Sequence, residues 1–376
     1  MPASPTAVET ARPPFLVWIL VPEAETADPN LAYYYDYAES RAEYARAFAA
    51  LGLEWRWQPV TLATRDAVIA SLVEQSRDVT PIVLNLCDGD EINGVPGLSV
   101  IHALDEVGLP YTGADAHFFD RTTSKIVMKG DFERAGVPTA PWAEVSTRTA
   151  NLAAVLRRIG RPVIVKPAVS AGSMGISCRS VVQTVRDLRA QLAVLDAGYR
   201  GWQLADGGVF VERFITGREF TTFIIGSAEH PDERIIYPAV ERVFHRALPD
   251  TERFLSFDRL WEFYEQESPL GEGEYLWEYA PAPAALMDEI ERVSWAAYAA
   301  VGGTGYGRVD LRRDDTTGRL YVLEVNAQCG LSEDENSTSI GAILRFAGTP
   351  YAEAVRAILD DALRVRTGRM AARAAA

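Results

Sequence analysis

The stretch Gly307-Arg308-Val309-Asp310-Leu311, the turn Asp314-Asp315-Thr316-Thr317-Gly318 and the stretch Tyr321-Val322-Leu323-Glu324-Val325-Asn326 decide how this chain folds. Side chains of a strand alternate between the two faces of a sheet. The odd positions Val309, Leu311, Tyr321, Leu323 and Val325 are all apolar and are expected on a core. The even positions then gather Arg308, Asp310, Glu324 and Asn326 on the other face. Folding back at the turn makes the segment a hairpin. Magnesium takes hard oxygen ligands and is usually held by one or two carboxylates plus substrate phosphates. Two carboxylates and an amide beside an arginine therefore form a candidate Mg²⁺ site, with the guanidinium placed to neutralise phosphate. A solvated sheet face with surface ion pairs is the other reading these residues leave open.

Upstream, Pro162-Val163-Ile164-Val165-Lys166-Pro167 reads as a short apolar strand ending in lysine. The small-residue loop Ser170-Ala171-Gly172-Ser173-Met174-Gly175 follows at once. Such a loop lets backbone N–H groups approach an anion, and the lysine reaches the same phosphates. No Gly-Lys-Ser/Thr closes it, so it is not a P-loop. No Gly-x-Gly-x-x-Gly follows the first strand either, which disfavours a dinucleotide. The run Gly302–Gly307 precedes a hairpin rather than a helix and reads as a flexible connection. Val211-Glu212-Arg213-Phe214-Ile215 and Gly217-Arg218-Glu219 offer backbone groups for an adenine edge and a carboxylate for ribose hydroxyls. A plain strand pair with a surface glutamate is the alternative.

The whole chain fits this picture. Its 376 residues allow two or three domains and a sizeable core. A net charge of −15 argues against a nucleic-acid backbone as partner. Three scattered cysteines, Cys87, Cys178 and Cys329, form no disulfide or zinc framework, so a reducing cytoplasm is expected. The apolar run Phe15–Val21 is too short for a membrane span and reads as a first strand. Of 37 Lys and Arg residues only Lys125, Lys129 and Lys166 are lysine. A chain that otherwise uses arginine keeps lysine where a slim point charge is wanted.

Strand and helix alternate through the first third: Phe15–Val21, Tyr34–Leu51, Leu53–Val60, Arg65–Gln75, Pro81–Leu86 and Gly97–Val107. This rhythm predicts a parallel βαβ sheet, whose ligands bind beyond the strands' carboxyl ends. The acidic loop containing Asp88, after the third strand, is a candidate substrate wall. Next comes a helix from Ala116 through Lys125 to Gly136. Antiparallel strands are expected at Val209–Ile215, Glu219–Ile225 and Arg234–Val240, followed by the hairpin. The expected division is an N-terminal βαβ domain over 1–115, a central subdomain over 116–205 and a C-terminal subdomain over 206–376. The aromatic, acidic stretch 241–283 is the candidate lid.

In order, "PVIVKP…GSMGIS", "VFVERFITGREFT" and "GYGRVDL…LYVLEVN" resemble the ATP-grasp superfamily, most closely its D-alanine–D-alanine ligase-like branch. "PIVLNLCDGD" and "GLPYTGADA" resemble that branch's N-terminal domain. The resemblance implies a three-domain ATP-grasp fold of α/β and α+β parts, an N-terminal parallel βαβ domain plus two α+β domains clamping ATP. It matches Asp310, Glu324 and Asn326 to magnesium ligands and Arg308 to a reaction-centre arginine. Lys166, Ser173 and Gly175 match phosphate positions, and Gly330 the loop after the metal asparagine. Glu212, Arg213 and Ile215 match the adenine hinge, and Glu219 the ribose carboxylate. The family's Asp-Lys start to the central helix is Asp120-Arg121 here, so Arg121 and Lys125 are both ATP candidates. Ser337, Asp88 and Glu23 are substrate candidates. The Gly-Gly-x-Ser-x-Glu signature that holds the first amino acid is absent; Val21-Pro22-Glu23-Ala24-Glu25-Thr26 stands there.

The implied activity is ATP-dependent ligation of a carboxylate and an amine, both small molecules, through an acyl phosphate. ADP and phosphate are released. Two Mg²⁺ ions are expected, with Mn²⁺ as a substitute, in a cytoplasmic enzyme without a membrane partner and, by its relatives, homodimeric. The missing signature directs the expectation toward amino-acid ligation in specialised biosynthesis. Cell-wall D-alanine–D-alanine ligation and an ATP-grasp small-molecule kinase are the alternatives.

Overall fold

The computed structural model describes residues 15–24, 35–77, 79–92, 94–199, 202–260, 270–271 and 274–375, with side chains to 365. Three sheets organise them. The first is parallel, in the order β2 (Glu54–Val60), β1 (Phe15–Pro22), β3 (Thr80–Asn85). β1 is central and buried on both faces. Leu16, Trp18 and Leu20 join one apolar cluster, and Val17, Ile19 and Val21 another. A continuous apolar run is what a central parallel strand covered by helices on both faces requires.

The second sheet is antiparallel, in the order β4 (Trp142–Val145), β7 (Val209–Arg213), β5 (Val163–Pro167), β6 (Val181–Val182). It reaches Arg213, past the boundary expected at 205. The third is a six-stranded antiparallel sheet. Its path is β11 (Trp277–Pro281), β10 (Val240–Phe244), β8 (Glu219–Ile225), β12 (Tyr306–Arg313), β13 (Leu320–Ala327), with β9 (Ile235–Ile236) beside β8. The strand expected over Arg234–Val240 is therefore two strands, with Val240 opening the second. The N-terminal helix periodicity is realised in Ala38–Leu51, Arg65–Gln75 and Leu98–Val107. The central helix is split in two, Ala116–Thr123 and Lys125–Ala135. Ser124 is extended at the break, and the Lys125 amide donates to the Ala168 carbonyl at 2.8 Å. That bond seats the second helix beside the end of β5.

Two expectations change at the hairpin. Gly307 pairs with Ala327, Arg308 with Asn326 and Asp310 with Glu324; then the register shifts and Leu311 pairs with Val322. A bulge inserts one unpaired residue and re-aims its neighbours. Core packing on β13 consequently falls to Leu320, Val322 and Val325, together with Val309 and Leu311 of β12. Leu323 turns to the cleft, and Tyr321 packs with Ala140 and Ile215 on the side away from that core. The glycine run before β12 is pinned rather than flexible. Gly226 and Ala228 amides each donate at 2.8 Å to the carbonyls of Gly305 and Gly303. A side chain on Gly305, at φ 74°, would meet the Gly113 carbonyl oxygen at 2.1 Å.

Candidate active site

The three sheets meet around one cleft of about 770 Å³. Its floor is the bulged hairpin. Asp310 is buried, and its Oδ1 accepts from the Thr221 hydroxyl at 2.8 Å. Its Oδ2 accepts from Arg308 Nη2 at 2.9 Å and from Asn326 Nδ2 at 2.9 Å. Glu324 faces it across the strand pair, with its Oε2 3.4 Å from Lys125 Nζ. Lys125, Lys166 and Arg308 together hold the Glu324 carboxyl below its ordinary range against the opposing effect of burial.

The phosphate candidates line the same cleft. Lys125 Nζ donates to the Ser170 carbonyl at 2.7 Å, tying the helix start to the glycine-rich loop. Ser173 has φ 63°, and its hydroxyl donates to the Leu255 carbonyl at 3.0 Å. Gly175 is not part of the lining. It has φ 78°, and a Cβ there would lie 2.7 Å from Pro167 Cγ and 2.8 Å from Leu204 Cδ1, so its glycine is a packing requirement. Lys166 Nζ lies 2.7 Å from Glu212 Oε1, and Lys129 Nζ 2.5 Å from Glu212 Oε2. Burial by itself would raise the Glu212 carboxyl, but the two ammonium groups bring it down to about 2. Lys129 goes the other way. Burial lowers it below the usual lysine range, and the neighbouring Lys166 charge adds to the fall although Glu212 opposes both.

Arg213, Ile215 and Glu219 also line the cleft. Arg213 Nη2 donates to Asp314 at 2.9 Å and to the Tyr321 hydroxyl at 3.1 Å. Glu219 is clasped by Arg242 from β10 and Arg312 from β12, its register neighbours on either side. Gly330, Ser337 and Asp88 are in the lining too. Besides Gly175, two candidates are not. Arg121 is directed to Asp131 through two bonds of 2.6 Å. Glu23 is exposed, and its amide donates to the Val60 carbonyl.

Of the candidate lid, β10 and β11 pair as an antiparallel base. Phe254 packs with Phe214, Ile164 and Ile176, and Phe257 with Met174 and Trp202. The lid residues Trp261, Phe263 and Tyr264 lie outside the described residues. The sequence reading singled out Lys129 only as one of the scarce lysines, without a site role, and missed Thr221, Arg242, Arg312 and Gln328. For Lys129 the scarcity of lysine was a usable signal: all three lysines converge on Glu212 and Glu324.

The donor set suits a divalent cation. Asp310 and Glu324 supply hard oxygens, and rotation of the Asn326 amide adds another. Among the described residues no three His, Cys, Asp or Glu side chains form a metal cluster, so phosphate oxygens and water would complete the coordination shell. A cysteine nucleophile is disfavoured, since burial pushes the Cys87 thiol up and the Cys329 thiol up to about 12.

Fold and cleft together define an ATP-grasp enzyme, an ATP-dependent carbon–nitrogen ligase. Residues 132–360 match the family described as D-ala D-ala ligase C-terminus, and the chain belongs to that family. It is 26% identical over 363 residues to the D-alanine--D-alanine ligase of Xanthomonas axonopodis pv. citri, covering 92% of this chain and 99% of the relative. It is 28% identical over 350 residues to that of Chromohalobacter salexigens, covering 85% and 95%. Among solved structures, the D-alanine--D-alanine ligase of Bacillus anthracis complexed with ATP aligns with a TM-score of 0.63 at 20% identity, covering 94% of this chain and 99% of that one. The ligase of Coxiella burnetii aligns with a TM-score of 0.66 at 14% identity, covering 96% and 98%. At these identities the structures speak for the fold. Among the described residues no helix is long and apolar enough to cross a membrane.

Proposed function

We propose that this chain joins two amino acids through an acyl phosphate, releasing ADP and phosphate. The carrying observation is the facing of Asp310, Glu324, Asn326 and Arg308 on the hairpin toward Lys125 and Lys166. The names of its curated relatives favour D-alanine with D-alanine over a pair from specialised biosynthesis. D-alanine is therefore the first substrate to test.

Lys125, Lys166 and the amides of the loop 170–174 hold and neutralise the phosphates. Glu219 receives the ribose, and the backbone near Ile215 the base. Asp310, Glu324 and Asn326 would hold divalent cations, which when bound supply charge neutralisation at the transferring phosphoryl group. The substrate carboxylate attacks the γ-phosphorus, and the bond to the ADP oxygen breaks. The amine of the second amino acid then attacks the acyl carbon. Arg308 and the backbone at Gly330 stabilise the oxyanion, and phosphate leaves. Phe254 and Phe257, packed at the glycine-rich loop, exclude water from the acyl phosphate.

The test is purified protein with ATP, Mg²⁺ and D-alanine, followed by phosphate release and product mass. Dipeptide with stoichiometric phosphate is expected. A phosphorylated acceptor without free phosphate would establish the kinase alternative instead.

A further inference from the structure

The walls of the cleft differ in charge. The two antiparallel sheets and the helix beginning at Lys125 supply its cations, including Lys125, Lys166, Arg242 and Arg308. The wall next to the parallel sheet carries Asp36, Glu39, Asp88 and Asp90. Among the described lining residues of 35–40, 88–90 and 328–340 there is no Lys, Arg or His. Phosphates belong with the first group of walls. The second is built for positive charge.

One carboxylate oxygen of Asp88 in this wall lacks a partner. Its Oδ1 is buried and makes no hydrogen bond. Asp36, by contrast, accepts from the Ala38 amide at 2.9 Å. The Asp88 backbone is held on both sides. Gln328 Nε2 donates to the carbonyls of Asn85 at 3.0 Å and Cys87 at 3.1 Å. The Gly89 amide donates to the Pro96 carbonyl at 2.9 Å. A Cβ on Gly89 would lie 2.2 Å from the Val95 carbonyl oxygen, so this loop is packed too closely to swing out. Buried polar atoms are nearly always satisfied, and one that is not calls for a ligand or a cost. Burial also pushes the Asp88 carboxyl up to about 7, with Asp90 adding to the rise. An arriving cation removes that penalty.

We propose that Asp88 binds the ammonium group of the amino acid whose carboxylate is activated, in place of the glutamate signature missing at Val21–Thr26. The inference rests on the ligase reading above. The assignment to the carboxylate donor follows from protonation. The donor's ammonium keeps its charge throughout the reaction, whereas the acceptor's must give up a proton before its nitrogen attacks, so a lasting ion pair suits the donor. The class of donor is thus an α-amino acid rather than a simple carboxylic acid.

The test compares the full-length wild type with Asp88→Asn, an isosteric change, using ATP, Mg²⁺ and D-alanine. KM for the donor D-alanine is expected to rise roughly tenfold to a hundredfold, the loss of one charge-assisted hydrogen bond. KM for ATP and the melting temperature should stay near the wild-type values, which a structural role for Asp88 would not allow. An unchanged KM for D-alanine overturns the proposal. A variant that does not fold is bypassed with the wild type alone, by titrating D-alanine and its des-amino analogue propionate in the presence of a non-hydrolysable ATP analogue. Equal affinities overturn the proposal, and a tenfold preference for D-alanine supports it. Failure of the ligase reading looks different: a wild type that releases no phosphate with any amino acid.

Discussion

Lys166 at the end of β5 and Glu212 on β7 form an ion pair of 2.7 Å within the cleft wall, and Glu212 is almost wholly buried. Lys129 completes the arrangement from the helix Lys125–Ala135, so one carboxylate fixes two ammonium groups. Removing a single partner from a buried ion pair leaves an uncompensated charge, which costs about 3–5 kcal/mol. Glu212→Gln is expected to lose stability on that scale in a denaturant titration. Glu212→Gln with Lys129→Met should recover part of it. A Glu212→Gln variant as stable as wild type would remove the carboxylate from this role.

The same carboxylate sets a pH dependence. Glu212 has its folded-state pKa lowered from 4.5 to about 2. A lowered pKa gives stability that is fully present above the unfolded value and is lost as pH falls through the folded one. The window is therefore from about pH 4.5 down to about 2. Over it the wild type should lose on the order of 3 kcal/mol more than Glu212→Gln does. Parallel acid-unfolding curves for the two proteins would contradict the assignment.

How much of this was legible follows from what each pattern could encode. The parallel sheet was readable because β1 and β3 are apolar runs, each followed by a helical segment that ends in glycine, at Gly52 and Gly108. The bulge was not. Leu320 to Leu323 are apolar at every position, so alternation fits either register and only packing chooses. Lys129 was findable, one helical turn beyond Lys125 in a chain with three lysines. Arg242 and Arg312 were not, because arginine is common here and their meeting at Glu219 depends on pairing across three strands. Gly175 was legible as a necessary glycine, while the reason for it, contact with Pro167 and Leu204, is long-range and outside any motif.

Gly175 yields a prediction that separates packing from phosphate contact. Alanine there must adopt φ 78° and push against Pro167 and Leu204. The left-handed backbone costs about 1–2 kcal/mol and overpacking about 1–3 more. Gly175→Ala should melt well below wild type. Once folded at low temperature, it should keep its KM for ATP within a few-fold. Full stability with lost ATP binding would return Gly175 to direct phosphate contact.

Asp310 and Glu324 are expected to govern phosphoryl transfer rather than folding. Asp310→Asn or Glu324→Gln removes one of the two carboxylates that suit a divalent cation. ADP release under saturating ATP and Mg²⁺ should fall on the order of a hundredfold or more in each. Undiminished turnover in both variants would refute the metal assignment.

Arg242, Glu219 and Arg312 stand side by side on β10, β8 and β12. Arg242 Nη2 also donates to the Tyr279 hydroxyl at 3.0 Å, and Arg312 Nη2 to the Arg253 carbonyl at 2.8 Å. The two guanidiniums hold the Glu219 carboxyl below its ordinary range although burial opposes them. Such a clasp fixes the carboxylate's direction before any nucleotide arrives, and groups in one network respond together rather than independently. Arg242→Met and Glu219→Gln should therefore each raise KM for ATP, and the double variant should be little worse than either alone. The coupling energy in that cycle is expected at about 0.5–3 kcal/mol. Strictly additive effects would mean that Arg242 meets the nucleotide on its own account and does not act by orienting Glu219.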